Sequence, residues 1–341
     1  MGTLGKYNIM KTFKKKPTVI SLFAGGGGSS LGYHQAGFKE LLAIDFDDNA
    51  VKTFEANFDT PIWKRDIRKV TSGEILKFSG LKKGELDLLD GSPPCQGFST
   101  AGKRILVDKR NELYAEFLRL VNELQPKVFV MENVKGLVIG SMKGKFKEIM
   151  LAAKATNYNV RCKLMNSKHY GVAQSRERLI WIGVRKDIKI ESSFPKPSSR
   201  ISSILSVING ITTKTCIWLK PEWYTYKMWY ATKIGSSFAR SAGKKSGYSF
   251  CKPNPYKPCP TIQKSLRIGN RQWGAFVHWK EQRTLSIEEI KRISSFPNDF
   301  VLSGNITKQW AIIGNSVMPK FMYNIAKHIK RKILWQNQVN H

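Results

Sequence analysis

An apolar run from Thr18 to Ala24 ends at four consecutive glycines, Gly25 to Gly28, and a mixed segment from Ser29 to Ala36 follows before Gly37. A short unbroken apolar run bounded by a turn predicts a buried strand, and the segment after it predicts a short helix stopped by a glycine. The unit recurs, with strands expected at Leu41 to Asp45, Leu86 to Asp90 and Lys127 to Met131, and helices at Asp47 to Phe58 and Asn111 to Leu124. Alternation of this kind predicts a doubly wound α/β sheet. Ligands of such sheets bind beyond the carboxyl ends of the strands, where Phe23, Asp45, Ser92 to Gln96 and Glu132 fall.

Between Ile190 and Gln282 the alternation stops. Fifteen Lys or Arg stand there against three acids, Glu191, Glu222 and Glu281, and five of the nine tryptophans (Trp218, Trp223, Trp229, Trp273, Trp279) lie in the same stretch. The chain is therefore divided into residues 1–189, an inserted lobe at 190–282, and a return to the first part at 283–341. In that last part a capped helix is expected at Ser286 to Ser294 and a basic one at Pro319 to Lys332. Charge density marks the lobe as a nucleic-acid-facing unit. The alternative is a solvated basic insertion with an aromatic core of its own, and each tryptophan taken singly fits packing better than base stacking.

Over all 341 residues, 57 Lys and Arg against 25 Asp and Glu give a formal charge of +32. Such an excess favours a polyanionic partner, because neutralised phosphates release condensed counterions. No apolar stretch reaches the length of a membrane span and the first residues lack the apolar centre of a secretion signal, so a soluble intracellular protein is expected. The five cysteines (Cys95, Cys162, Cys216, Cys251, Cys259) are odd in number, scattered and without a Cys-x-x-Cys spacing, so neither disulfides nor a metal site is expected.

Three segments carry candidate chemistry. The turn Phe23 to Gly28, with Asp45 ending the next strand, suits an adenosine ligand: glycines admit close backbone approach and the acid binds ribose hydroxyls. A tight strand-to-helix turn would look the same, and the spacing departs from the G-x-G-x-x-G dinucleotide pattern. More specific is Gly91-Ser92-Pro93-Pro94-Cys95-Gln96-Gly97-Phe98-Ser99, in which two prolines stiffen a loop leaving a buried strand and fix where a thiol points. Beside it come Glu132-Asn133-Val134, where a carboxylate at a strand end needs a partner, and Gln174-Ser175-Arg176-Glu177-Arg178, either a solvated turn or a source of guanidinium groups for the same cleft.

In this order the elements resemble the cytosine-5 DNA methyltransferase family of bacterial restriction-modification systems and eukaryotes. The resemblance spans nearly the whole chain. It is carried by Phe23-x-Gly25-x-Gly27, Pro93-Pro94-Cys95-Gln96, Glu132-Asn133-Val134, Gln174-x-Arg176-x-Arg178, the helix Arg283 to Phe296-Pro297, and Gly314-Asn315-Ser316-Val317-x-Pro319. It implies a Rossmann-like S-adenosylmethionine-dependent domain and a smaller target-recognition domain, here 190–282, within which Thr261-Ile262 resembles a threonine-aliphatic pair of that region. It further implies that Cys95 attacks carbon 6 of a cytosine turned out of the duplex. Glu132 then holds the ring nitrogen and amine, while Arg178 and Arg176 hold the ring oxygen. For the cofactor it implies Phe23 on the adenine, Asp45 on the ribose in place of the commoner glutamate, Asp66 at the adenine amine, and Asn315, Ser316 and Val317 near the methionine end, with Gly25, Gly27 and Pro94 lining the site.

The segment Ser99 to Leu113 is expected to close over DNA. Gln96, Ser99, Lys103, Arg104, Arg110, Lys244, Lys245, Thr261, Arg267 and Arg271 are the candidate DNA-contacting residues, Arg267 and Arg271 as guanine readers. The expected setting is a cytoplasmic, nucleoid-associated monomer on double-stranded DNA, with a cognate restriction endonuclease as a partner and no membrane. A transfer-RNA methyltransferase of the same family is the nearest competing reading. Methylation of an exocyclic amine fits less well, because Ser92 precedes the prolines and Cys95 follows them.

Overall fold

A computed structural model of the chain describes residues 15–94, 113–243, 250–266 and 276–337. Its centre is a seven-stranded sheet of order β3-β2-β1-β4-β5-β8-β6. The strands are β1 (Thr18–Leu22), β2 (Lys39–Asp45), β3 (Ile62–Lys64), β4 (Leu88–Gly91), β5 (Val128–Val134), β6 (Tyr158–Asn166) and β8 (Glu177–Arg185), with the two-residue β7 (Gln174–Ser175) outside it. Strands β1 to β5 pair in parallel, whereas β8 runs antiparallel to both β5 and β6. Chain order reverses between β1 and β4, which opens a crevice at their carboxyl ends.

The alternation of side chains along these strands feeds two cores. On one face Ile20, Leu22, Leu89 and Phe129 pack with Phe117 and Leu120 of α4 (Leu113–Leu124) and Ile149 of α5 (Lys143–Lys154). On the other, Val19, Leu88, Val130 and Ile182 meet Tyr33 of α1 (Gly28–Gln35) and Phe321, Met322 and Ile325 of α11 (Pro319–Ile329). The helix α11, distant in sequence, thus completes the layer over the first strand.

The expected elements form with shifted ends. The helix following β2 is α2 (Asp48–Glu55), N-capped by the Asp47 carboxylate on the Ala50 amide. Strand β5 runs on to Val134 because its pairing with β8 continues to Val134 opposite Arg178, so Glu132 lies inside a strand instead of after one. The terminal helix stops at Ile329 and gives way to a π-helical turn at Lys330–Leu334. Strand β3, the capped helix α3 (Ser72–Ser79), α5 and β6 escaped the pattern reading; β3 has only three residues, none fully buried, and β6 mixes Arg161 and Lys163 into its outer face.

Regular structure thins out after Ile190. The described part of the lobe holds the short helices α6 (Ile204–Ile208), α7 (Tyr224–Ala231) and α8 (Phe238–Ser241), and three strands of two residues each, β9 (Ser236–Ser237), β10 (Cys251–Lys252) and β11 (Cys259–Pro260). Its apolar residues Trp229, Phe250, Ile262 and Trp279 share one core with Ile287 and Ile290 of α9 (Ile287–Ile293) and Trp310 and Ile313 of α10 (Ile306–Asn315). The core therefore crosses the 282/283 position. Arg283 spans that position, donating from Nε to Glu281 in the lobe at 2.6 Å and through two 2.9 Å bonds to the Glu289 carboxylate, inside the capping box that Ser286 and Glu289 form. Of the tryptophans, Trp229 and Trp279 are buried and Trp218 is 60% exposed. No described helix is long and apolar enough to cross a membrane.

Candidate active site

At the carboxyl end of β1 the backbone turns sharply through Phe23, whose φ of 55° is left-handed, and Gly25, at 56°. A non-glycine residue held there is strained, and such strain persists only where surrounding packing enforces it. A side chain at Gly25 would meet nothing within 4 Å, so this turn faces open space. At Gly28 the opposite holds: an added Cβ would come within 2.3 Å of the Val317 carbonyl oxygen, which places the Asn315 to Val317 segment directly against the glycine turn. The Asp45 carboxylate accepts the Gly25 amide on one oxygen (2.8 Å) and the Asp47 amide on the other (2.9 Å). Burial nevertheless raises its pKa, the two amide bonds opposing that rise. Phe46, the next residue, is 67% exposed at the same edge.

These residues fit S-adenosylmethionine. An open glycine turn admits the ligand, each Asp45 oxygen keeps acceptor capacity for a ribose diol, and Asn315 is exposed beside the turn. Phe46 was not singled out in the sequence; the signal available was an aromatic directly after the strand-ending acid. Asp66 N-caps a short 3-10 turn at Ile67–Lys69 and pairs with the Arg68 guanidinium, which lowers its pKa.

Strand β4 leads into Ser92, Pro93 and Pro94. The Pro93 carbonyl accepts the Asn133 side-chain amide at 3.2 Å, so the start of this loop is tied to β5. Cys95 itself, with Gln96, Ser99, Lys103, Arg104 and Arg110, lies outside the described residues, as do Lys244, Lys245, Arg267, Arg271 and Trp273. Burial pushes the other four thiols up: Cys162 to about 12, Cys251 to about 11, with Cys216 and Cys259 raised as well. A raised thiol is a poor nucleophile at neutral pH.

Beneath the loop, Asp90 is only 2% exposed and accepts the Tyr33 hydroxyl at 3.0 Å. Burial, reinforced by the nearby Glu40 and Glu132 carboxylates, pushes its pKa up to about 8. On β5, Glu132 is 8% exposed, and its Oε1 lies 2.6 Å from Nε of Arg178. Burial lowers the pKa of Arg178 while Glu132 holds it up. A buried carboxylate with one guanidinium and an adjacent tethered loop forms a polar edge at the crevice.

The structure brings Glu132, Arg178, Asn133 and Pro94 to that edge, while Arg176, close enough for Arg178 and Glu132 to act on its charge, spends its two terminal nitrogens on backbone carbonyls. Arg176, 4% exposed, donates from Nη1 to the Ile262 carbonyl (2.9 Å) and from Nη2 to the Gly314 carbonyl (2.8 Å). The Thr261 hydroxyl is similarly committed, donating to the Ser175 carbonyl at 2.9 Å. No group of His, Cys, Asp and Glu with the makings of a metal site occurs among the described residues.

The family model for C-5 cytosine-specific DNA methylase matches residues 17–331. The chain is 32% identical to the Type II methyltransferase M1.HphI of Haemophilus parahaemolyticus, over 92% of its own length and 86% of that relative's. It is also 32% identical to the Type II methyltransferase M.FnuDI of Fusobacterium nucleatum, over 92% and 94% of the two lengths. Among solved structures, a protein of an E. coli prophage named as a DNA modification methyltransferase superposes with a TM-score of 0.75 at 23% identity, covering 94% of this chain and all of that one, a likeness of fold.

Proposed function

The chain belongs to the C-5 cytosine-specific DNA methylase family and is a DNA cytosine-5 methyltransferase; from that premise we propose how its residues divide the work. Cys95 is the nucleophile, bonding to carbon 6 of the target cytosine and making carbon 5 electron-rich. Glu132 and Arg178 hold the ring's polar edge and stabilise the charge that develops there. The observation that carries this reading is the buried 2.6 Å Glu132–Arg178 pair, facing the crevice beside the loop that Asn133 ties down. S-adenosylmethionine, when bound, supplies an electrophilic methyl group. Asp45 and the Gly25 turn would hold its ribose, Phe23 and exposed Phe46 would provide apolar surface for its adenine, and Asn315 to Val317 would hold the methionine portion. Once carbon 5 has taken the methyl group, leaving S-adenosylhomocysteine, a base or water takes the carbon 5 proton, and that bond's electron pair re-forms the ring double bond as the bond to carbon 6 breaks and Cys95 leaves as thiolate.

The lobe 190–282 supplies phosphate and base contacts, the former from its lysines and the latter from Arg267 and Arg271. The Type II names of the relatives support a role as the modification enzyme of a restriction-modification system with a partner endonuclease. One catalytic edge and one basic lobe per chain support action as a monomer. Tritium transfer from labelled S-adenosylmethionine tests the reading. Label is expected in 5-methylcytosine of duplex DNA, and none with Cys95→Ser. Transfer to tRNA alone, or wild-type rates in the serine variant, would overturn it.

A further inference from the structure

The guanidinium of Arg176 joins three segments far apart in sequence. Its two donors reach Ile262 in the lobe and Gly314 near the end of α10, while Arg178, two residues on, holds Glu132. The surrounding bonds repeat the same connections. Gln174 accepts the Ile262 amide at 3.1 Å and donates to the Ser294 hydroxyl at 3.0 Å, and β11 pairs with β7. The Trp310 indole of α10 donates to the Gln263 carbonyl at 2.9 Å, and a Cβ on Gly314 would stand 2.5 Å from that same carbonyl group. From Gly314 the chain passes through exposed Asn315 to Val317, whose carbonyl packs on the glycine turn at Gly28.

We propose that Arg176 is a positioning residue that couples the lobe to the cofactor edge, so that duplex DNA and the cofactor each tighten the other's binding. The physical ground is that both carbonyls are oriented by one planar fork. Displacing the Ile262 segment moves or breaks the bond at Gly314, one peptide from Asn315. Lysine presents a point charge on a flexible stem and cannot bridge two carbonyls with a rigid fork. Few alternative arrangements exist in so buried a junction, since an unpaired carbonyl there is costly. Coupling free energy between two ligands is reciprocal, so it is measurable from either side.

This inference rests on the proposed cofactor edge. The test measures S-adenosylhomocysteine affinity by calorimetry with and without a short duplex bearing the site that the wild-type enzyme methylates in plasmid DNA, and duplex affinity with and without S-adenosylhomocysteine. Wild type is expected to show mutual tightening of roughly five- to 150-fold, the usual range of such coupling. In Arg176→Lys the tightening is expected to collapse towards unity while S-adenosylhomocysteine alone binds as in wild type. Trp310→Phe, which removes only the indole donor to Gln263, is expected to lose part of the coupling and carries the test should Arg176→Lys not fold. Absence of coupling in wild type, its survival in both variants, or loss of S-adenosylhomocysteine binding in Arg176→Lys without DNA would each overturn the proposal. Asp45→Ala separates the two levels: unchanged S-adenosylhomocysteine binding in that variant removes the cofactor edge itself, whereas weakened binding with no wild-type coupling removes only the inference about Arg176.

Discussion

The sheet and the lobe hold their residues in place by different means. In the sheet, backbone ladders set the register, so Asp45, Asp90, Glu132 and Arg178 are placed by strand pairing and by the alternation of faces. In the lobe the described strands are two residues long, and position comes from aromatic packing and from side chains bonding to carbonyls, as at Arg176 and Trp310. On the proposed division of labour, chemistry that must be the same for every cytosine would sit on the rigid element and site reading on the adaptable one.

The largest effect is expected at the Glu132–Arg178 pair. Glu132→Gln keeps shape and loses charge, and methyl transfer in a single-turnover assay is expected to fall about 10²- to 10³-fold, the usual consequence of removing a group that stabilises developing charge. Arg178→Ala should add a cost in stability of about 3 to 5 kcal/mol, because it strands a buried carboxylate; equal urea midpoints for wild type and this variant would contradict the geometry. On the lobe side, exchanging residues 190–282 for those of a relative should move the methylated sequence, read by bisulfite sequencing, and leave carbon 5 as the acceptor. Continued methylation of the original site would place specificity elsewhere.

Asp45→Ala should weaken S-adenosylmethionine binding by about 1 to 3 kcal/mol, the range for unpairing buried polar groups, as checked by calorimetry. Asp90 tests the sheet's buried polar layer through pH. Its folded pKa is raised to about 8 by burial, so the native state binds a proton that the unfolded chain has released at neutral pH. Its contribution is therefore fully present below the unfolded carboxylate range, about 4, and is lost as pH rises through about 8. Asp90→Asn, which can still accept from Tyr33, should flatten the decline of melting temperature across that window; an unchanged slope would show that Asp90 does not titrate there.

The first strands, their helices and the crevice were legible because apolar runs and glycine punctuation report buried strands directly. Asp45 was legible for the same reason, as the acid that ends its strand, and Glu132 as an acid after an apolar run, although its strand continues two residues further. Strand β6 and the antiparallel entry of β8 were not, since direction in a sheet is set by long-range pairing that leaves no local pattern. Arg176 shows the limit most clearly. Its motif pointed to the cleft, as did that of Arg178, yet alternation alone cannot reveal that Ile262 and Gly314, from segments 86 and 138 residues away, present carbonyls to one guanidinium and not to the other. The shared core of the lobe with α9 and α10 was hidden likewise, because composition changes at 282 while packing does not.

On the proposed mechanism Cys95 alone of the five cysteines forms a covalent bond to cytosine. It is tested most directly by a duplex bearing 5-fluorocytosine at the methylated position, where fluorine blocks the elimination that releases the thiol. Incubated with S-adenosylmethionine and digested, the trapped complex should yield its nucleotide adduct on the peptide containing Cys95. An adduct on Cys162, Cys216, Cys251 or Cys259, or no adduct on a duplex whose unfluorinated counterpart is methylated, would contradict the account.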